Sequence, residues 1–208
     1  KDAAATAVYG AEGANGVVII TSKRGKPQKT LISYRGEYSS LTPTRVPQMA
    51  NSVEYLSLYN EALRNEGQQP AFSDSLINLY ASGIDPDLYP NSNWYDILLR
   101  KRTSNTRHTL NFRGGTGKTR FFVSGAYFSE SGMYKSNSEY NTNAGLKRYN
   151  LRSNIDMDIT QTTLLRVDIS GQYLQTTYPV NGSTNLFERF SRIPPHLIPP
   201  IYSDGTLA

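Results

Sequence analysis

Two stretches in the C-terminal half alternate between apolar and polar residues with a period of two. From Tyr149 to Ile159, Tyr149, Leu151, Ser153, Ile155, Met157 and Ile159 alternate with Asn150, Arg152, Asn154, Asp156 and Asp158. From Leu165 to Tyr173, Leu165, Val167, Ile169, Gly171 and Tyr173 alternate with Arg166, Asp168, Ser170 and Gln172. Successive side chains of a β-strand point to opposite faces, so each set occupies its own side of a sheet. Only Thr160 to Thr163 separate the two runs, which predicts a hairpin. Thr106–Arg113 and Thr119–Phe128 predict a second, less regular hairpin around Gly114, Gly115 and Gly117. Leu31–Ser39 reads as a further strand of mixed character.

Helical signals are confined to the first half. Asn51 with Glu54 makes a capping start, Val53, Leu56, Tyr59 (or Asn60) and Leu63 recur at helical spacing, and Gly67 stops the helix. Ser73–Ala81 repeats this on a smaller scale with Gly83 as its stop, and Asn93–Leu99 predicts a third short helix. At the N-terminus, Asp2 caps an Ala-rich helix ending at Gly10, and Gly13 to Gly16 form a tight turn. Val17–Thr21, apolar on both faces, is expected to be a buried strand.

The connections carry information of their own. The first strand is followed by a long insert, Leu41–Thr103, and the next two are joined by a short Gly turn. Ser129–Leu146 then separates the hairpins, and a Pro-rich tail from Tyr178 onward is expected to be loop. Long connections at one end and short turns at the other are the rhythm of an outer-membrane β-barrel. A soluble antiparallel sheet with one wet face alternates equally well, so a soluble β-rich binding domain stands as a rival reading. The barrel is favoured because Arg and Asp stand directly on the polar faces, as on a water-filled wall, while the apolar faces carry no charge. Barrels have at least about 8 strands, and an open sheet leaves edges exposed, so the remaining strands are expected from sequence outside this chain.

Composition narrows the chemistry. Cysteine is absent and there are only two His, at 108 and 196, so thiolate chemistry and a His-rich metal site are unavailable. The excess of 22 Lys and Arg over 17 Asp and Glu is scattered among acidic residues, which argues against nucleic-acid binding. Fifteen Tyr against one Trp and seven Phe suit half-wet surfaces such as strands, pore walls and interfacial girdles. Gly114–Thr119 lacks the upstream Gly and the following helix of a phosphate loop. Gly10, Gly13 and Gly16 stand between helix and strand in the reverse of the order a dinucleotide fingerprint requires. Asp156, Asp158 and Asp168, with Arg152 and Arg166 on the same faces, read as cross-strand charge pairs rather than an acid/base or Ca²⁺ site. No nucleophile-elbow spacing occurs, so no enzyme and no cofactor are expected.

The opening KDAAATAVYGAEGANGVVIITSKRG resembles the C-terminal end of the plug domain in SusC/RagA-type TonB-dependent transporters. The residues that carry the likeness are Lys1-Asp2-Ala3, Ala7 to Gly10 with its Tyr9-Gly10, Gly13, Ala14-Asn15-Gly16, Val17 to Ile20, and Thr21 to Gly25. Glu12 departs from the basic or small residue of many relatives. The likeness continues through Trp94-Tyr95-Asp96, Gly114 to Arg120, Ser124 to Phe128 and Arg148 to Arg152.

The resemblance implies that residues 1–27 end a plug and that residues 28–208 begin a transmembrane barrel of about 22 strands. It places the protein in the outer membrane of a Gram-negative, Bacteroidota-like cell, surrounded by outer-membrane lipid. Its implied partners are a SusD-like lid lipoprotein and TonB, reached through sequence outside this chain, and its implied cargo is oligosaccharide or peptide. A siderophore or vitamin receptor of the same architecture is the alternative within the fold. Arg152, Asp156, Asp158, Arg166 and Asp168 are expected to line the lumen. Tyr127, Tyr134, Tyr140 and Tyr178, near loop bases, are expected to contact substrate.

Overall fold

The computed structural model describes residues 10, 18, 20–135, 144–179 and 182–207. Its framework is one five-stranded sheet in simple meander order, β1 (Gln28–Leu41), β2 (Thr103–Gly115), β3 (Thr119–Ser131), β4 (Gly145–Asp158) and β5 (Leu164–Thr177). All five anticipated strands are present, and most extend past the apolar alternation, chiefly toward the long connections. There both faces carry polar residues such as Lys147, Arg148, Gln175 and Thr176, so the period-two signal fades while the backbone ladder continues.

The chain divides into two compact units, and every strand contributes to both. One comprises Lys1–Tyr34, Thr109–Ala126 and Asn150–Gln172. Here the usual burial rule is reversed. Asn154 and Asp156 are buried, whereas Leu31, Ile32, Leu151 and Ile169 are between 56% and 62% exposed. A water-soluble sheet hides its apolar face, so this unit has not hidden the face the sequence pattern creates.

The second unit comprises Arg35–His108, Tyr127–Tyr149 and Tyr173–Ala208. Its helices are α1 (Ser52–Asn65), α2 (Asp74–Ser82), α3 (Trp94–Leu98) and α4 (Gly182–Arg192). The first three begin where their caps predict. Asn51 and Glu54 form a reciprocal capping box, Ser73 and Asn93 accept from the first-turn amides of α2 and α3, and Gly83 closes α2 in the left-handed region at φ 61°. Buried Asn60 donates to Phe72 O at 2.7 Å and accepts from Phe72 N at 3.0 Å, tying α1 to the chain before α2. Ser52 Oγ donates to Pro90 O, and Ser92 binds Pro195 O and Ile198 O, so the C-terminal segment is laid against the first insert. Tyr95, Leu99, Tyr134 and Phe190 form the apolar centre, with Trp94, Leu98, Ala144 and Leu186 packed on it.

Two expectations are corrected. Val18 and Ile20 lie outside any strand and are 88% and 87% exposed. A strand apolar on both faces needs a neighbour on each, and among the described residues none stands beside it. The segment after Tyr178, expected to be loop, contains α4. Its polar start at Gly182 hides Leu186 and Phe190, whose i, i+4 spacing turns them onto α3 and Tyr134. Of the anticipated N-terminal features, Gly10 is described, with φ 62°, whereas Gly13, Asn15 and Gly16 lie outside the described residues.

Candidate functional site

The polar face of the first unit is a charged wall crossed by the chain that enters β1. Asp156 and Asp158 stand on β4, Asp168 and Arg166 on β5 and Arg120 on β3, at the alternate positions that share one face. Arg24, in the segment before β1, reaches two strands at once. Its guanidinium donates to Asp156 Oδ1 at 2.6 Å and to Asp168 Oδ2 at 2.5 Å. The hydrogen bond it donates to Asp168, and the charges of both carboxylates, hold this guanidinium above its usual pKa. Arg166 Nε lies 3.8 Å from the same Asp156 oxygen. Arg120 grips Asp158 through two parallel bonds of 2.9 Å, the planar fork geometry that a lysine cannot supply.

The backbone of the entering segment is held as firmly as its side chain. Buried Asn154 donates to Lys23 O at 2.7 Å, and Arg113 Nε donates to Arg24 O at 3.1 Å. Gly25 then passes so close to β3 that a Cβ there would stand 2.2 Å from Phe121 N. Side chains of β2, β4 and β5 and the backbone of β3 therefore fix residues 23–25 before β1 begins at Gln28.

The expected polar-wall residues Asp156, Asp158, Arg166 and Asp168 thus come together, but their main partners are Arg24 and Arg120 rather than one another. Arg120 follows from the same alternation in β3. Arg24 had no comparable signal, because its segment has no regular structure. Arg152 stands apart, lining a shallow cavity of about 420 Å³ with Phe122, Ser124, Asn150, Ser170 and Gln172. Among the described residues, no group of three or more His, Asp or Glu is placed to hold a metal ion.

The expected substrate-contacting tyrosines divide. Tyr178 is 68% exposed. Tyr134 is only 7% exposed and packs among Tyr95, Leu99 and Phe190, so its ring is committed to the interior of the second unit. Tyr127 stacks within a row of rings on the apolar face rather than at a loop base. Tyr140 lies outside the described residues.

No family model matches the chain. Its sequence is 29% identical over 171 residues to a TonB-dependent receptor of Formosa agariphila, covering 82% of this chain and 14% of that protein. It is 30% identical over 140 residues to the TonB-dependent receptor SusC of Bacteroides thetaiotaomicron, covering 66% of this chain and 12% of that protein. The fold matches the RagAB peptide importer in its open–open state with a TM-score of 0.69 at 22% identity, over all of this chain and 25% of that one. The closed–closed state gives 0.64 at 22% identity over 97% of this chain and 24% of that one. The chain therefore spans between a tenth and a quarter of the length of these relatives. With its strand order, its polar wall and these relatives, the chain belongs to the TonB-dependent receptors of the SusC/RagA type.

Proposed function

We propose that this chain is the plug-to-barrel junction and the first five strands of an outer-membrane importer that takes up large nutrients, peptides or glycan fragments, under a SusD-like lid and with force supplied through TonB. The observation that carries the reading is the reversed sheet. Its apolar residues stand exposed while Asp156 and Asn154 are buried where the chain arrives at β1. In a barrel the exposed face meets lipid and the charged face meets the lumen and plug. The dimensions agree. Tyr149 to Ile159 is ten residue steps, about 33 Å at the usual rise per residue, and a tilt of about 45° reduces this to about 23 Å along the membrane normal, close to a barrel's apolar band of about 25 Å. Residues 1–27 then form the end of the plug, and residues 23–25 its fixed attachment to the wall. Tyr178 and Tyr140 are the residues we assign to gripping substrate at the outer loops.

Deleting the full-length gene in its host and measuring uptake of labelled oligopeptides and oligosaccharides tests the transport reading. Loss of uptake of one class, restored by the intact gene, is the expected result. Undiminished uptake of both classes, with loss of an iron chelate or vitamin instead, refutes it. Single cysteines at Leu151 and Arg152 of the full-length receptor in cells test the faces. Arg152→Cys should react with a water-soluble maleimide, and Leu151→Cys only with a lipid-soluble one.

A further inference from the structure

The apolar face of the second unit carries one aromatic ring on each of β2 to β5, in a continuous row. His108 on β2 stacks on Tyr127 of β3 with ring centroids 6.4 Å apart. Tyr127 meets Tyr149 of β4 at 5.0 Å, and Tyr149 meets Tyr173 of β5 at 6.0 Å. Tyr149 and Tyr173 are 44% and 64% exposed, so the row is a surface feature. Rings of this kind, apolar in body and polar at the tip, gather at the headgroup level of a membrane.

Two residues further along each strand, on the same face, the character changes. Ser129 and Ser131 follow Tyr127, Lys147 and Gly145 precede Tyr149, and Gln175 and Thr177 follow Tyr173. With Arg100 they line an open cavity of about 320 Å³. Glu130 also contributes to the lining, but alternation turns its side chain to the opposite face from its serine neighbours. The cavity is therefore lined by basic, hydroxyl and amide residues, among them Lys147, Ser129, Ser131, Thr177 and Gln175, a set whose donors suit phosphate oxygens.

We propose that this cavity binds the phosphorylated headgroup of an outer-leaflet membrane lipid, with the lipid's apolar chains directed toward the Tyr row. The inference rests on the barrel reading, since only a membrane-facing wall would meet such a lipid. Two features select this occupant over a soluble one: the positive charge of Arg100 and Lys147, and the exposed aromatic row directly below it.

The test uses the full-length receptor in phosphatidylcholine nanodiscs doped with lipid A, with retained lipid counted by native mass spectrometry. Lipid A should be retained in preference to the same lipid stripped of its phosphates. Lys147→Gln and Arg100→Gln should each weaken retention about fivefold, the scale expected for one basic residue at an anionic surface. Lys147→Arg should retain it. Unheated gel mobility reports whether each variant holds a folded barrel. Equal retention of phosphorylated and dephosphorylated lipid, or unchanged retention in the double variant, overturns the site. So does equally tight binding of inorganic phosphate by the detergent-solubilised receptor, because that assigns the cavity to a free anion. Failure of the barrel reading shows separately: Tyr173→Cys would then label freely with a water-soluble maleimide.

Discussion

Replacing Gly25 by Ala adds one methyl group where the entering chain crosses β3. That methyl would sit 2.2 Å from Phe121 N and 2.7 Å from both Arg120 C and Phe121 O, all backbone atoms that cannot rotate away. Ordinary contact begins near 3.4 Å, so the segment must lift by about 1 Å. Such a shift stretches the bonds from Asn154 to Lys23 O, now 2.7 Å, and from Arg113 to Arg24 O, now 3.1 Å. Two hydrogen bonds at about 1 kcal/mol each, with residual overpacking strain of about 1 kcal/mol, give about 3 kcal/mol lost from the attachment. A loss of that size multiplies the detached population by more than a hundredfold. The assay is limited proteolysis of the full-length receptor in detergent, scoring cleavage within residues 20–27 against an unchanged barrel band. Gly117→Ala is the matched control, since its added methyl meets nothing within 4 Å. Equal cleavage rates for the two variants would refute the claim that close backbone contact holds the segment.

The remaining predictions concern the two faces and the helical unit. Ile169, 57% exposed on the apolar face, should resist charge: Ile169→Arg is expected to cost about 2–4 kcal/mol in urea-monitored folding into vesicles, whereas Ser170→Arg on the opposite face should cost little. Asn60→Ala leaves both backbone groups of Phe72 without their partner, so hydrogen exchange at residues 52–72 should accelerate in line with a loss of about 2–3 kcal/mol. His196 packs against Tyr55, Phe72 and Tyr80, and burial lowers its folded pKa below the ordinary 6.5. A base with a depressed folded pKa binds its proton more readily when unfolded, so this contribution is complete above pH 6.5 and declines as pH falls from there toward the folded value. Amide exchange at residues 196–198 should rise over that window, and His196→Phe should flatten the response.

Much of the sheet was legible because a strand's period of two is written directly in the order of residues. Tyr149 to Ile159 and Leu165 to Tyr173 show their faces without reference to any other part of the chain, and Asn51, Ser73, Asn93 and Gly83 mark helix ends through bonds within a few residues. Helix α4 was not legible, because its cue is a pair of apolar residues, Leu186 and Phe190, whose partners lie far along the chain on α3 and at Tyr134. Tyr134 failed as a substrate contact for the same reason. A tyrosine near a loop looks available until distant residues close around it.

The candidate site divides along the same line. Sequence alone determined which residues share a face, and so placed Asp156, Asp158 and Asp168 on one polar wall. Only the tertiary structure decided that Arg24, more than 130 positions from Asp156 and Asp168, is what the wall grips. Alternation is a property of adjacent bonds and survives in any isolated stretch of chain. An ion pair over that separation exists only once the strands have paired and the entering segment has been laid across them, so no local pattern could announce it.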